Sequence, residues 1–184
     1  MSVKQSHIVA GGDVVAGSKT VISYAACPLR PQMQKLNQQL SENGKGELSN
    51  GYLIPELHHY LSAASVDVRG LEEKLAAAGR SDLLTFAMVC KEKAAKLIMV
   101  HQMSLTAQKI LTIVLSDIYV KFFHVVWPAI LEDATRTEVD MKISAILDEC
   151  VASLDQNAME LTMADVAGLL YFLGGNCHIR WDKC

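Results

Sequence analysis

From Cys27-Pro28 onward, apolar residues recur at the three-to-four-residue interval of helices that bury one face. Pro31 to Leu40 reads as a first helix, ended by Asn43-Gly44-Lys45-Gly46, and a loop continues to Gly51. Pro55 opens a second helix running to Ala64, and Leu71 to Ala78 forms a third that Gly79 stops. Ser81 is placed to cap a long helix reaching about His101, with Leu84, Met88, Ala95, Ile98 and Met99 as its apolar positions. Ser104 restarts or continues it as far as Trp127, where Pro128 blocks further helix. That stretch is apolar nearly all round, as a helix enclosed by others must be, and Asp117 and Lys121 form an i,i+4 pair on its one wet strip. Thr137-Glu138-Val139-Asp140 resembles a capping box and opens a helix to about Leu154; Thr162-Met163-Ala164-Asp165 repeats the device for the last helix. Gly174 is then expected as the left-handed residue beyond that helix, followed by an extended segment from Asn176 to Trp181. The fold class is therefore mainly α: a bundle of about six helices over residues 27–184, with a short C-terminal strand.

The first 24 residues follow a different pattern. His7 to Ala10, Asp13 to Ala16 and Lys19 to Tyr24 are short runs rich in branched residues, separated by Gly11-Gly12 and Gly17-Ser18. A hexad echo aligns Val9-Ala10-Gly11-Gly12-Asp13-Val14 with Val15-Ala16-Gly17-Ser18-Lys19-Thr20, which suits a β-hairpin or β-coil leader over residues 1–26. So few strands are marginal alone. Oligomerisation through Ile8, Val9, Val14, Val15, Val21 and Ile22 is the expectation, with the missing strands on a neighbouring subunit.

Composition narrows the function classes. Hydrophobic residues make up 51% of 184, enough for a core, and the net charge of −3 gives no global case for nucleic acid. Locally, Arg80, Lys91, Lys93, Lys96 and Lys109 make a basic stretch, whereas the stretch from Glu132 to Asp165 is acidic apart from Arg136 and Lys142. Two readings stand: solvated helix faces, or complementary surfaces in an assembly. Cys27, Cys90, Cys150, Cys177 and Cys184 form an odd set without paired spacing, and no apolar signal segment opens the chain. Reduced thiols in a cytoplasmic protein are the inference. The apolar stretch from Ile110 to Trp127 approaches the length of a membrane span, but Asp117 and Lys121 in its middle argue for a helix buried in protein.

Candidate chemistry mostly removes itself. Gly12-x4-Gly17-Ser18-Lys19-Thr20 imitates a phosphate-binding loop, yet Ser18 displaces the lysine and a strand-like run follows where a helix must start. Cys177 and His178 are adjacent on an extended segment and point to opposite faces, so they cannot share a hydrogen bond as nucleophile and base. Cys177, His178 and Cys184 fall short of a zinc ligand set, and His58-His59 make no i,i+4 chelate. No catalytic residue, cofactor or metal is expected. Trp127 and Trp181 read as core or edge anchors, and the tail through Cys177, Ile179, Arg180 and Trp181 as a structural closure or a partner-docking strip.

Leu71-Glu72-Glu73-Lys74-Leu75, Gly79-Arg80, the helix Lys91-Glu92-Lys93-Ala94-Ala95-Lys96, and Phe122 followed by Trp127-Pro128-Ala129-Ile130 together carry a resemblance. So does the ending Leu170-Tyr171-Phe172-Leu173-Gly174 with Cys177-His178-Ile179-Arg180-Trp181. The chain resembles the helical C-terminal domains of bacterial ABC-three-component systems, anti-phage modules related to the Lamassu type. Some of these also carry a leader similar to the glycine-rich start. The resemblance rests on packing motifs. It implies a non-catalytic adaptor that connects an ABC or SMC-like ATPase, and the middle component beside it, to an effector, with DNA met only indirectly. Family members often carry an effector domain ahead of the helical one; with about 25 leader residues here, a stand-alone adaptor is expected. The alternative is a homo-oligomeric DNA-binding regulator using the Arg80–Lys109 basic face.

Overall fold

A computed structural model of the chain describes residues 30–44, 47–64 and 69–183. Among them the helices are α1 (Arg30–Asn43), α2 (Pro55–Leu61), α3 (Leu71–Ala77), α4 (Leu84–His101), α5 (Leu105–Lys121), α6 (Trp127–Leu131), α7 (Arg136–Ser153) and α8 (Met163–Gly175). The leader and its six branched residues lie outside the described residues, as do Cys27 and Cys184.

The bundle is organised around α5, which packs against α1, α2, α4, α7 and α8. Ile110, Leu111, Val114, Leu115 and Ile118 bury its inner faces, and Ser104, where the sequence restarts or continues the helix, caps it by accepting from Ala107 N–H. The Asp117–Lys121 pair forms at 2.8 Å, but the strip is not fully wet: α7 leans on it, with Cys150 Sγ 3.1 Å from Asp117 and Glu149 3.1 Å from Lys121. Burial and the Asp117 carboxylate push the Cys150 thiol far up, so it stays protonated. With α6 this helix forms one rod, Leu105–Leu131, long and apolar enough to cross a membrane; here its neighbours are other helices.

Pro128 does not end the rod. Its ring would collide with the preceding turn of a regular α-helix. A π-turn over Phe122–Val126 widens the coil, with Trp127 N–H reaching back five residues to Phe122 C=O, and α6 then starts with Pro128 in its first turn.

The tightest helix pairing is α4 on α8. Its contact side is Ala87, Cys90, Ala94 and Ile98, all buried. A Cβ on Gly168 of α8 would fall 2.7 Å from the Cys90 carbonyl oxygen, so the two backbones approach closely because glycine and alanine permit it. Met88 and Met99, expected on the buried side, are instead exposed. Ser81 is not the α4 cap either; it begins a 3-10 turn, Ser81–Leu83, that leads into the helix.

Three further expectations shift. The capping box of α7 is built by Thr135 with Glu138, two residues earlier than Thr137, because Thr135 has the extended backbone that a cap needs. That of α8 uses Thr162 and Asp165 as expected. α2 stops at Leu61, where Ser62 turns extended. Gly174 and Gly175 lie inside α8, and Cys177 (φ 64°) takes the left-handed position beyond it. Residues 176–183 form turns and bends, and among the described residues the one β pairing is the isolated bridge Leu48–Ser104. The tail is not a strand because its backbone groups pair with helix ends.

Candidate functional site

The tail after α8 is where the conspicuous residues of the sequence converge. Its backbone is tied down at once: Asn176 and His178 N–H donate to Phe172 and Leu173 C=O, and Ala64 N–H donates to Asn176 C=O at 3.1 Å. Asn176 Nδ2 donates to Tyr60 C=O at 3.0 Å. The chain is thereby laid across the end of α2.

Trp181 then turns inward. Its ring packs edge-on to Phe122 of the π-turn and beside Tyr171, with centroids 6.1 and 5.9 Å away. A Cβ on Gly174 would sit 2.7 Å from two Trp181 ring carbons, which explains a glycine at that position of a helix. Ile179 is buried as well. Arg180 lies over the Trp127 ring, 4.9 Å from its centroid, and Cys177 is half-buried with Sγ 3.4 Å from Arg69 C=O.

Sequence reasoning missed the polar centre of this closure. Lys74 is fully buried and donates from Nζ to Gly174 C=O at 2.9 Å and to Ile179 C=O at 3.5 Å. A cation there satisfies a carbonyl at the end of α8 and favours its negative dipole end. Lys91 stretches across Gly175 beside it; a Cβ there would fall 2.5 Å from Lys91 Nζ. The signal was present: Leu71, Lys74 and Leu75 share the i, i+3, i+4 spacing of a buried face. Arg69 closes the tail with two bonds to buried Asp182, at 2.6 and 3.2 Å.

Beside the tail lies a cavity of about 340 Å³ lined by His59, Tyr119, Phe123, Trp127, His178 and Arg180, among others. His178 Nε2 is 3.1 Å from Ser62 C=O, and the imidazole stands 5.2 Å from that of His59. Cys177 and His178 thus have separate partners and do not face each other as a catalytic pair. Among the described residues no group of His, Cys, Asp and Glu could hold a metal ion.

The basic stretch is similarly divided by geometry. Arg80 is buried and bonded to Asp140, Arg136 holds Asp82 with two bonds at 2.8 and 2.7 Å, Lys96 pairs with Glu92, and Lys109 lies 3.7 Å from Glu47. Part of the acid–base complementarity seen along the sequence is therefore consumed within the chain.

The motif residues of α3, α4 and the tail meet at one place, the C-terminal end of α8, and a family model covers that same span. C-terminal domain 9 (CTD9) of the ABC-three component (ABC-3C) systems matches residues 70–181. The chain belongs to this CTD9 family. No curated protein and no solved structure matches it. CTD9 membership makes the chain a component of an ABC-3C defence system, and no catalytic family is indicated. The CTD9 segment opens at Gly70, the residue that caps α3, and closes on Trp181.

One titration follows from the CTD9 tail. Burial and the neighbouring His59 hold His178 below its ordinary value, against the backbone carbonyls of Ser62, Tyr60 and His59, which favour the charged ring. A base with a lowered folded value is neutral when the unfolded chain takes up a proton, so stability rises with pH in that window. We expect stability to be full above about pH 6.5 and to fall as pH drops below it. His101, also lowered by burial, adds to the same loss. Urea midpoints measured from pH 7.5 to 5.5 should decline less in His178→Gln than in the parent; equal slopes would contradict the assignment.

Proposed function

We propose that this CTD9 chain is a non-catalytic adaptor of an ABC-3C anti-phage complex, joining an ABC or SMC-like ATPase and its middle component to an effector. The observation that supports it is the use made of the reactive side chains. Lys74, Asp182, Cys177 and His178 are each committed to a backbone or side-chain partner that fixes the tail, and none is aimed jointly at a place where a substrate could react. Ile179 and Trp181 are buried in the chain's own core, so within the proposed docking strip the reachable members are Cys177 and Arg180, at the rim of the aromatic cavity.

Co-expression with the ATPase and middle component from a neighbouring locus tests this reading. Wild-type chain should co-purify with them, while the purified chain alone shows no nuclease, protease or nucleotidase turnover. Arg180→Ala should reduce recovery of the complex while the chain stays folded, since a half-buried cation–π contact contributes between about 0.5 and 2 kcal/mol. Turnover that disappears in Cys177→Ala would refute the adaptor reading, as would full recovery of the complex with Arg180→Ala refute the docking rim.

A further inference from the structure

The outer face of α4 carries apolar side chains that the bundle leaves uncovered. Met88 and Val89 are 47% and 48% exposed near one end, and Met99 and Val100 are 64% and 75% exposed near the other. Between them stand Glu92 and Lys96, 2.6 Å apart and well exposed. At about 100° per residue, Glu92 and Lys96 run along the midline of this face, Met88 and Met99 along one flank, and Val89 and Val100 along the other. Each of these pairs is centred within about half a residue of Ala94. Read from either end, the order is apolar pair, charge, opposite charge, apolar pair.

We propose that α4 is a self-pairing surface, through which two copies of this chain join with their α4 helices antiparallel about a two-fold axis at the height of Ala94. A two-fold interface must be self-complementary. Antiparallel docking sets Met88 against Met99 of the partner subunit and Val89 against Val100 of the partner subunit, covering four exposed apolar side chains on each copy. Glu92 then meets Lys96 of the partner subunit, twice by symmetry, extending the pair within each helix into a four-charge network. Parallel docking in register would set Glu92 against its own counterpart, and this repulsion fixes the direction. Lys93 stands at the rim, where solvent accommodates it. The charge complementarity of the face with itself, rather than its apolarity alone, is what selects a second copy as occupant.

The face of one helix is smaller than the roughly 800 Å² per partner of a standard interface, so the dimer belongs to the weak class and is best measured near about 100 μM chain. Sedimentation or light scattering of the full chain should then report twice the 20.1 kDa chain mass. E92K places lysine against Lys96 of the partner subunit, and K96E places glutamate against Glu92 of the partner subunit; each should weaken the dimer about tenfold or more. The double variant E92K/K96E restores every opposite-charge contact and should recover the parental mass. All of these charges are exposed, so helical circular dichroism serves as the folding control. A monomer at that concentration overturns the proposal, as does a dimer indifferent to both single variants. So does a double variant that stays monomeric. Conversion to monomer on removal of residues 1–26 alone would assign the contact to the leader instead and overturn it equally.

Discussion

Trp181→Ala should lower the thermal midpoint by about 6–20 °C, the largest effect of any single change near the tail. Burying a tryptophan and then deleting it typically costs about 3–5 kcal/mol, and about 2–4 °C follows each kcal/mol in a chain of this size. The site cannot relax to recover the loss, because Phe122 is fixed by the π-turn and Gly174 offers no side chain to fill the space. Cys177→Ser and His178→Ala remove less apolar surface and should each shift the midpoint less. Differential scanning calorimetry of the three variants decides it. A Trp181→Ala midpoint within about 2 °C of the parent, less than 1 kcal/mol is expected to produce, would mean that the ring is not an anchor.

Lys74→Met should come second, at about 1.5–3 kcal/mol, the usual worth of a hydrogen bond to a charged group. Methionine reproduces the length and apolar body of the buried lysine stem, so its packing survives and the cost isolates the polar contacts. Ile179 C=O loses the lysine and Gly174 C=O is left with the longer bond from Cys177 N–H, in a place water does not reach. The expected fall in midpoint is about 3–12 °C, with helical content retained and amide exchange accelerated around Asn176 to Trp181. Stability equal to the parent would show that the carbonyls find other donors and that Lys74 is not the tie proposed for it.

These two residues also show what the sequence reveals and what it hides. Punctuation governed by local chemistry was legible: Gly79 after α3 and the Thr162–Asp165 box of α8 depend on a few neighbouring residues. Features set by a distant partner were not. Gly174 looked like a helix stop because nothing near it in the chain shows that Trp181 will lie against it. Lys74 drew no reading of its own, because a charge on a core face is expensive unless carbonyls 100 and more residues away are waiting for it. The buried side of α4 was misjudged for a related reason: small Ala87 and Ala94 were chosen by the close approach of Gly168, and the larger Met88 and Met99 were left outside. Pro128 misled because the remedy, a π-turn, has no local residue signature. Of the candidate site, the burial of Trp181 and the separation of adjacent Cys177 and His178 were readable; the aromatic cavity and its histidine pair needed α2, α5 and the tail brought together.

The Arg69–Asp182 pair has a mechanical meaning. It joins the residue just before the CTD9 segment to the residue just after it, at 2.6 Å, so the segment enters and leaves through one doorway. The two ends of that segment are thereby clasped to each other, so a pull on either end is shared by both. Tension applied across that doorway would load the ion pair first and then the Lys74 bond that ties α3 to the end of α8.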